Sequence, residues 1–262
     1  MSDQDRNRQA SAMLARHWEH GTTLTELPPN LRPITRAEGY AIQAGLDDLT
    51  QSPLVGWKIA ATSEAGQRHI NVDGPLAGRL IAERLIENGA TVSLANNRMR
   101  VAEAEFAFRF GQDLPPRDEP YTVDEVLAAV ATLHPAIELP DSRYEDFTSV
   151  GAPQLIADNA CAHQFMPGPA VLDEWRSVDL VTFPVLVVKN GTERFEGAGA
   201  NVLGDPRLAL TWLVNELSRL GITLHAGEMV TTGTCLTPVP IAPGDEIHAS
   251  WGSFGELTLR LT

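Results

Sequence analysis

Cysteine is scarce. The chain carries two, Cys161 and Cys235, in 262 residues, too few for a disulfide framework and at no zinc-ligand spacing. Cations are also in deficit: Lys plus Arg number 20 against 34 Asp plus Glu, a formal charge of −14. With no basic run to neutralise phosphates, nucleic acid is disfavoured as a partner. No apolar stretch approaches the roughly 20 residues of a membrane span. The polar start Met1-Ser2-Asp3-Gln4-Asp5-Arg6 lacks the apolar region of a signal peptide. The expectation is a cytoplasmic protein with no membrane partner. There is no P-loop, no G-x-G-x-x-G between strand and helix and no G-x-S-x-G elbow. None of the seven histidines pairs with another at zinc spacing.

What remains is ordinary globular composition, 43% hydrophobic and 21% charged, in a chain long enough to bury roughly three quarters of its unfolded surface. Ala10, Met13, Leu14, His17 and Trp18 form a stripe at helical spacing, which predicts a helix over residues 6–20. Three prolines mark residues 21–33 as a loop. Thr35-Arg36-Ala37-Glu38 is a capping box and opens a second helix over residues 36 to about 49. Residues 54–60 then read as a strand, with strand-like runs near 79–86, 90–94 and 101–110. A second capping box, Thr122 to Glu125, opens a helix to about residue 133, and 135–139 is a short strand. Residues 178–189 read as a long strand ended by the turn signal Asn190-Gly191. Asp205 and Pro206 start a helix that stops at Gly221. Regular βαβ alternation is absent, so an α+β protein with a mainly antiparallel or mixed sheet is expected. Residues 1–52 read as an N-terminal helical extension, and 53–262 as the main, strand-rich domain.

Three segments could carry chemistry. In Val101-Ala102-Glu103-Ala104-Glu105-Phe106-Ala107-Phe108, strand alternation puts Ala102, Ala104, Phe106 and Phe108 on one face. Glu103 and Glu105 share the other, roughly 7 Å apart. They are either a solvated outer face or oxygen ligands for a hard divalent cation. Glu138 lies in an apolar strand between prolines; it is either ion-paired, with Arg143 as the near partner, or a further ligand. Lys58 interrupts the apolar run Gly56-Trp57-Lys58-Ile59-Ala60. It is either a solvated edge residue or a desolvated acid/base or carboxylate-binding group. Asp158 and Asn159 read as helix-start caps, Thr232-Gly233-Thr234 as a polar turn after a strand, and His134 as structural.

These motifs occur in a set order. Gly56-Trp57-Lys58-Ile59-x-x-Thr62-Ser63 is followed by Val72-Asp73-x-Pro75-x-x-Gly78-x-Leu80, Arg100-Val101-x-Glu103-x-Glu105-x-Ala107-Phe108 and Pro135-Ala136-Ile137-Glu138. Asp141-Ser142-Arg143, Ala157-Asp158-Asn159-Ala160, Gly204-Asp205-Pro206-x-x-Ala209-Leu210-x-Trp212-Leu213, Ala226-Gly227-Glu228 and Gly244-Asp245 complete the set. Together, from about residue 10 to the C-terminus, they resemble the 2-keto-4-pentenoate hydratase family within the wider fumarylacetoacetate hydrolase superfamily.

The resemblance implies an α+β fold, a mixed β-sandwich-like roll of the fumarylacetoacetate hydrolase C-terminal type with an N-terminal helical region. It implies Mg²⁺ or Mn²⁺ held by Glu103, Glu105 and Glu138, with Lys58 as catalytic residue and Thr62, Asn159, Thr232 and Thr234 as substrate-binding residues. The implied substrate is a small 2-oxo acid from aromatic meta-cleavage: a 2-hydroxy-2,4-dienoate or its keto tautomer, hydrated to a 4-hydroxy-2-keto acid. Homo-oligomers are the family's habit. Two positions depart from its pattern. Hydratases commonly carry Pro-Asp before an aromatic residue and Gly where this chain reads Pro75-Leu76-Ala77-Gly78; Leu76 cannot take up a proton, and Asp73 is close but displaced. Cys161 stands where Ser is common. An aliphatic residue at the Leu76 position resembles the 4-oxalocrotonate decarboxylases, which makes decarboxylation of a 2-oxo acid the alternative activity. A non-catalytic metal- and 2-oxo-acid-binding protein is a further one. Carbon–carbon hydrolysis is disfavoured, since no His-Glu dyad is evident near Lys58.

Overall fold

Ser2 opens the first helix by accepting a hydrogen bond from Asp5 N, and Gly21 closes it in the left-handed conformation (φ 61°). The computed structural model describes residues 2–172 and 174–262. In chain order the elements are α1 (Asp3–His20), α2 (Arg36–Gln43), α3 (Leu46–Leu49), β1 (Leu54–Ala60), α4 (Glu64–His69), β2 (Leu76–Ile81), β3 (Thr91–Val92), β4 (Val101–Phe110), α5 (Val123–Ala129) and β5 (Val130–Leu139). There follow α6 (Gly151–Ala157), β6 (Gln164–Pro167), β7 (Pro184–Lys189), β8 (Glu193–Ala198), α7 (Pro206–Arg219), β9 (Met229–Thr234), β10 (Val239–Pro240), β11 (Glu246–Ser250) and β12 (Glu256–Leu261).

The strands make two sheets. One runs β2-β1-β9-β4-β5-β6, with β10 added beside β4; the other runs β3-β12-β11-β7-β8. Pairing is antiparallel except at β1–β9 and β3–β12, so the architecture is mixed α+β, as expected. The main core spans both sheets, with Phe106 and Phe108 from β4, Val185 and Val187 from β7, Leu257 and Leu259 from β12, and Leu210 and Leu213 from α7. A second apolar cluster joins α1 and α2 to α6 through Ala10, Leu14, Ile42, Tyr144 and Ala157. Polar ties reinforce it: Gln43 Nε2 donates to Ala77 O and Ile156 O at 2.8 and 3.0 Å, and Leu27 N donates to Gln154 Oε1 at 2.9 Å.

Several boundaries differ from the sequence expectation, each for a local reason. The second predicted helix breaks at Gly45, where a side chain would strike Ser11 of α1. The helix opened by Thr122 ends at Ala129, and residues 130–133 join a strand paired to β4. There the β-branched Val130 and Thr132 gain ladder partners that a helix would not supply. The strand predicted over 178–189 begins only at Pro184. Before it Asp179 folds the chain into a turn, accepting from Val181 N at 3.0 Å and from the Thr182 hydroxyl at 2.7 Å. Thr232, Gly233 and Thr234 belong to β9 rather than to a turn after it. Asp158 ends α6 and precedes a single 3₁₀ turn, Asn159–Cys161, but its side chain makes no capping hydrogen bond there.

Candidate active site

The register of β4 on β5 brings the three acids together. Glu103 stands opposite Glu138 and Glu105 opposite Ala136, so the two glutamates of β4 and the one of β5 share a face. One carboxylate oxygen from each lies within 4.8 Å of the others. This face is no solvated exterior, since Glu105 and Glu138 are fully buried. Thr231 Oγ1 donates to Glu105 Oε2, and Gly233 N donates to the same oxygen at 2.9 Å. Among the described residues Glu105 Oε1 and Glu138 Oε1 have no hydrogen-bond partner.

Lys58 is the counter-charge. It is buried, because β1 lies between β2 and β9 and is no edge strand. Its Nζ forms an ion pair with Glu138 Oε2 at 3.0 Å and donates to Ala160 O at 3.2 Å. Gly78 pairs with it across β1–β2; a Cβ there would collide with Asn159 O and crowd the Lys58 stem. Burial alone would lower the ammonium's pKa, but Glu138, then Glu103 and Glu105, outweigh it and hold it above the usual lysine value. Burial raises all three carboxyls, with mutual repulsion adding to the rise at Glu105 and Glu138 and Lys58 opposing it at each. Three ionised carboxylates against one ammonium leave two negative charges, the charge of one divalent cation.

The ion pair expected between Glu138 and Arg143 does not form. Arg143 is taken by Asp158: its Nε pairs with Asp158 Oδ1, its backbone N donates to Oδ2 at 3.0 Å, and Ser142 Oγ donates to Oδ2 at 2.7 Å. This network locks the segment after α6, where Asn159, Ala160 and Cys161 all have positive φ (56°, 50° and 60°). Three successive left-handed residues without glycine cost roughly 1–2 kcal/mol each. Tertiary bonds hold the segment: the Asn159 carboxamide accepts from Arg79 N at 2.6 Å and donates to Arg79 O at 2.9 Å. The turn thereby aims the Ala160 carbonyl at Lys58.

A cavity of about 630 Å³ opens above Lys58 and Glu103, and Thr62, Cys161 and Thr234 line it. Of the residues predicted to bind substrate, Thr62 and Thr234 reach it, although the Thr234 hydroxyl already donates to Leu236 O at 2.8 Å. Asn159 and Thr232 do not. The Asn159 carboxamide is spent on Arg79, and Thr232 Oγ1 donates to Phe106 O at 3.0 Å. A β-bulge explains Thr232: β9 pairs Thr231 with Ala107 and Thr234 with Glu105, two intervening residues against one, so the alternation shifts. Gly233 makes the bulge possible, having φ 102° and no room for a Cβ against Thr62. Leu76 is fully buried in the core, and Asp73 is exposed and paired with Arg36 at 2.8 Å; neither lines the cavity. His134 is structural, with Nδ1 on Gly168 O and Nε2 on Thr132 Oγ1, both at 2.8 Å.

Sequence reasoning missed Thr231 and Gly233 N as the anchors of Glu105, the Ala160 carbonyl, and the cavity wall, which includes Met99, Phe147 and Leu236. It also missed His69, which lines the cavity from α4; the glutamate on that helix, Glu64, is exposed and paired with Arg68, so the pair makes no dyad. Strand alternation read back from Gly233 would have found Thr231.

Residues 64–262 match the family described as fumarylacetoacetate (FAA) hydrolase C-terminal. The 2-hydroxyhexa-2,4-dienoate hydratase of Comamonas testosteroni is 33% identical over 245 residues, covering 92% of this chain and 91% of its own. The 2-keto-4-pentenoate hydratase of Burkholderia vietnamiensis is 33% identical over 267 residues and covers 100% of both chains. Among solved structures, 4-oxalocrotonate decarboxylase from Pseudomonas putida G7, complexed with magnesium and adipate, superposes with a TM-score of 0.89 at 27% identity, covering 100% of this chain and 99% of that one.

Proposed function

The chain belongs to the fumarylacetoacetate hydrolase family, and we propose that within it this protein is a divalent-metal-dependent hydro-lyase. It adds water to a 2-hydroxy-2,4-dienoate, or its 2-keto-4-enoate tautomer, to give a 4-hydroxy-2-keto acid, as the names of its hydratase relatives suggest. The carrying observation is the carboxylate cluster. Among the described residues Glu105 Oε1 and Glu138 Oε1 are buried without a hydrogen-bond partner, and one ammonium, Lys58 against Glu138 Oε2, faces three carboxylates; that arrangement is costly unless a cation completes it, and an all-oxygen set suits Mg²⁺ or Mn²⁺. The residues fit the group, and Glu103, Glu105 and Glu138 would hold it. A divalent cation there supplies Lewis-acid stabilisation of the negative charge that develops on the 2-oxo oxygen.

The chain's own residues do the rest. Lys58, oriented by Ala160 O, holds a proton at Nζ beside the carboxylates and delivers it to substrate carbon as water oxygen bonds to C4, and the proton that the water gives up restores the ammonium. Thr62 donates its hydroxyl to the bound acid from the cavity wall, and Thr234, its hydroxyl proton held by Leu236 O, shapes the wall beside it. The division at residues 52 and 53, a cytoplasmic location and a homo-oligomeric state belong to the same proposal. No described helix is long and apolar enough to cross a membrane.

A second reading is decarboxylation of a 2-oxo acid, favoured by a buried leucine at position 76 and by the likeness to the Pseudomonas putida decarboxylase. Ultraviolet decay of the dienoate, followed alongside CO₂ release, separates the two: CO₂ without hydration overturns the hydro-lyase. Titration with Mg²⁺ and oxalate, which mimics the two chelating oxygens, tests the cluster. Glu103→Gln is expected to weaken Mg²⁺ binding and activity together, and unchanged values for both would remove the three-carboxylate site. Metal and oxalate binding without turnover of either substrate would leave a binding protein.

A further inference from the structure

The direction of the cavity follows from the β4–β5 register. Glu103 faces Glu138. Two residues back along β4 and two on past β5, alternation puts Val101 and Pro140 on the same face, about 7 Å farther from the cluster, and both line the cavity. Met99, Ile70, Phe147 and Leu236 complete that wall. Among the described lining residues Lys58 is the only Lys or Arg, and it sits at the carboxylate end against Glu138. Two polar lining side chains have donors committed elsewhere: Thr234 to Leu236 O, and Asn201 Nδ2 to Cys235 O at 2.7 Å. Besides Glu103 of the cluster, the others are the neutral hydroxyls of Thr62, Ser63 and Thr237 and the Cys161 thiol. His69 stands at the exposed rim, edge-on to Phe147 with ring centroids 6.0 Å apart.

From this wall we infer that the cavity selects 2-oxo acids bearing a single carboxylate and an apolar tail of several carbons, and rejects those with a second carboxylate at the far end. This rests on the proposed function, which places the 2-oxo acid head at the carboxylate cluster. A charged tail there loses its water and finds no fixed cation. Each methylene buried against the wall strengthens binding about fourfold. At about 630 Å³ the cavity falls in the range of pockets for larger ligands, roughly 300–1,000 Å³, more than a five-carbon acid fills. The inference favours hydration over decarboxylation, because CO₂ leaving from the tail would require a carboxylate there.

Calorimetry on the full chain with Mg²⁺ and unreactive saturated acids tests it. 2-Oxohexanoate is expected to bind at least tenfold tighter than 2-oxoadipate, and 2-oxooctanoate tighter still. Met99→Lys, which sets an ammonium in the wall, is expected to raise 2-oxoadipate affinity at least tenfold. Equal affinity for the mono- and diacid, or tight diacid binding that His69→Ala abolishes, overturns the inference. So does a Met99→Lys protein that still rejects the diacid. Oxalate serves as the control for the head: if it binds with Mg²⁺ while the monoacid and diacid bind equally, only the tail selectivity fails. If oxalate does not bind, the proposed function falls, and this inference with it.

Discussion

Lys58 shows what a single residue reveals and conceals. An ammonium in an apolar run is conspicuous in the sequence, and so are three glutamates set among alanines, phenylalanines and isoleucines. They stood out as candidates because burying charge is costly and calls for a reason. Their partners were not: Arg143 is five residues from Glu138, yet it pairs with Asp158, while Lys58, eighty positions away in the chain, meets Glu138. Lys58→Met keeps most of the length and the apolar stem of the side chain and removes the proton carrier. It is expected to lower kcat by about 10²- to 10⁴-fold without weakening Mg²⁺ binding, since a competing cation is lost. Stopped-flow turnover and Mg²⁺ titration check this, and an unchanged kcat would take Lys58 out of the chemistry.

At the scale of elements, local signals served well where they acted alone. Capping boxes placed the starts of α2 and α5, and Asp205 with Pro206 placed α7. They served poorly where a neighbouring strand decided the outcome, as at residues 130–133 and at the β9 bulge. The turn at Asn159, Ala160 and Cys161 is the clearest case, since no local preference produces three left-handed residues in a row. Asn159→Ala leaves the Arg79 N–H and C=O buried without partners, at about 1–3 kcal/mol for each group, and puts alanine where asparagine tolerates positive φ better. Urea denaturation is expected to show a loss of about 2–4 kcal/mol, with kcat reduced as Ala160 O drifts from Lys58. A denaturation midpoint equal to wild type would mean that the clamp contributes nothing.

For the whole molecule, α1 is tied to the β5–β6 region through Trp18 Nε1, which donates to His163 Nδ1 at 2.7 Å. Burial, with Arg143 and Arg84 adding repulsion, pushes the His163 pKa down to about 3, so the ring is neutral in the fold. An unfolded histidine takes a proton below about 6.5. The contribution of His163 is therefore fully present above about pH 6.5 and lost as pH falls toward 3, with the unfolded state binding the extra proton. Between pH 7.5 and pH 5 this loss is expected to reach about 1–2 kcal/mol. Thermal melts of wild type and His163→Asn check it: the variant, which keeps an acceptor for Trp18, should lose less stability over that interval, and parallel curves would exclude the histidine. By itself the sequence determined which charged residues stand out as candidates and where the capped helices start, because burial cost, capping and strand alternation act over a few residues. Only the tertiary structure decided which charges meet, which face of β9 looks at the glutamates, and what lines the cavity, because those depend on strand register and on a strained turn held from β2.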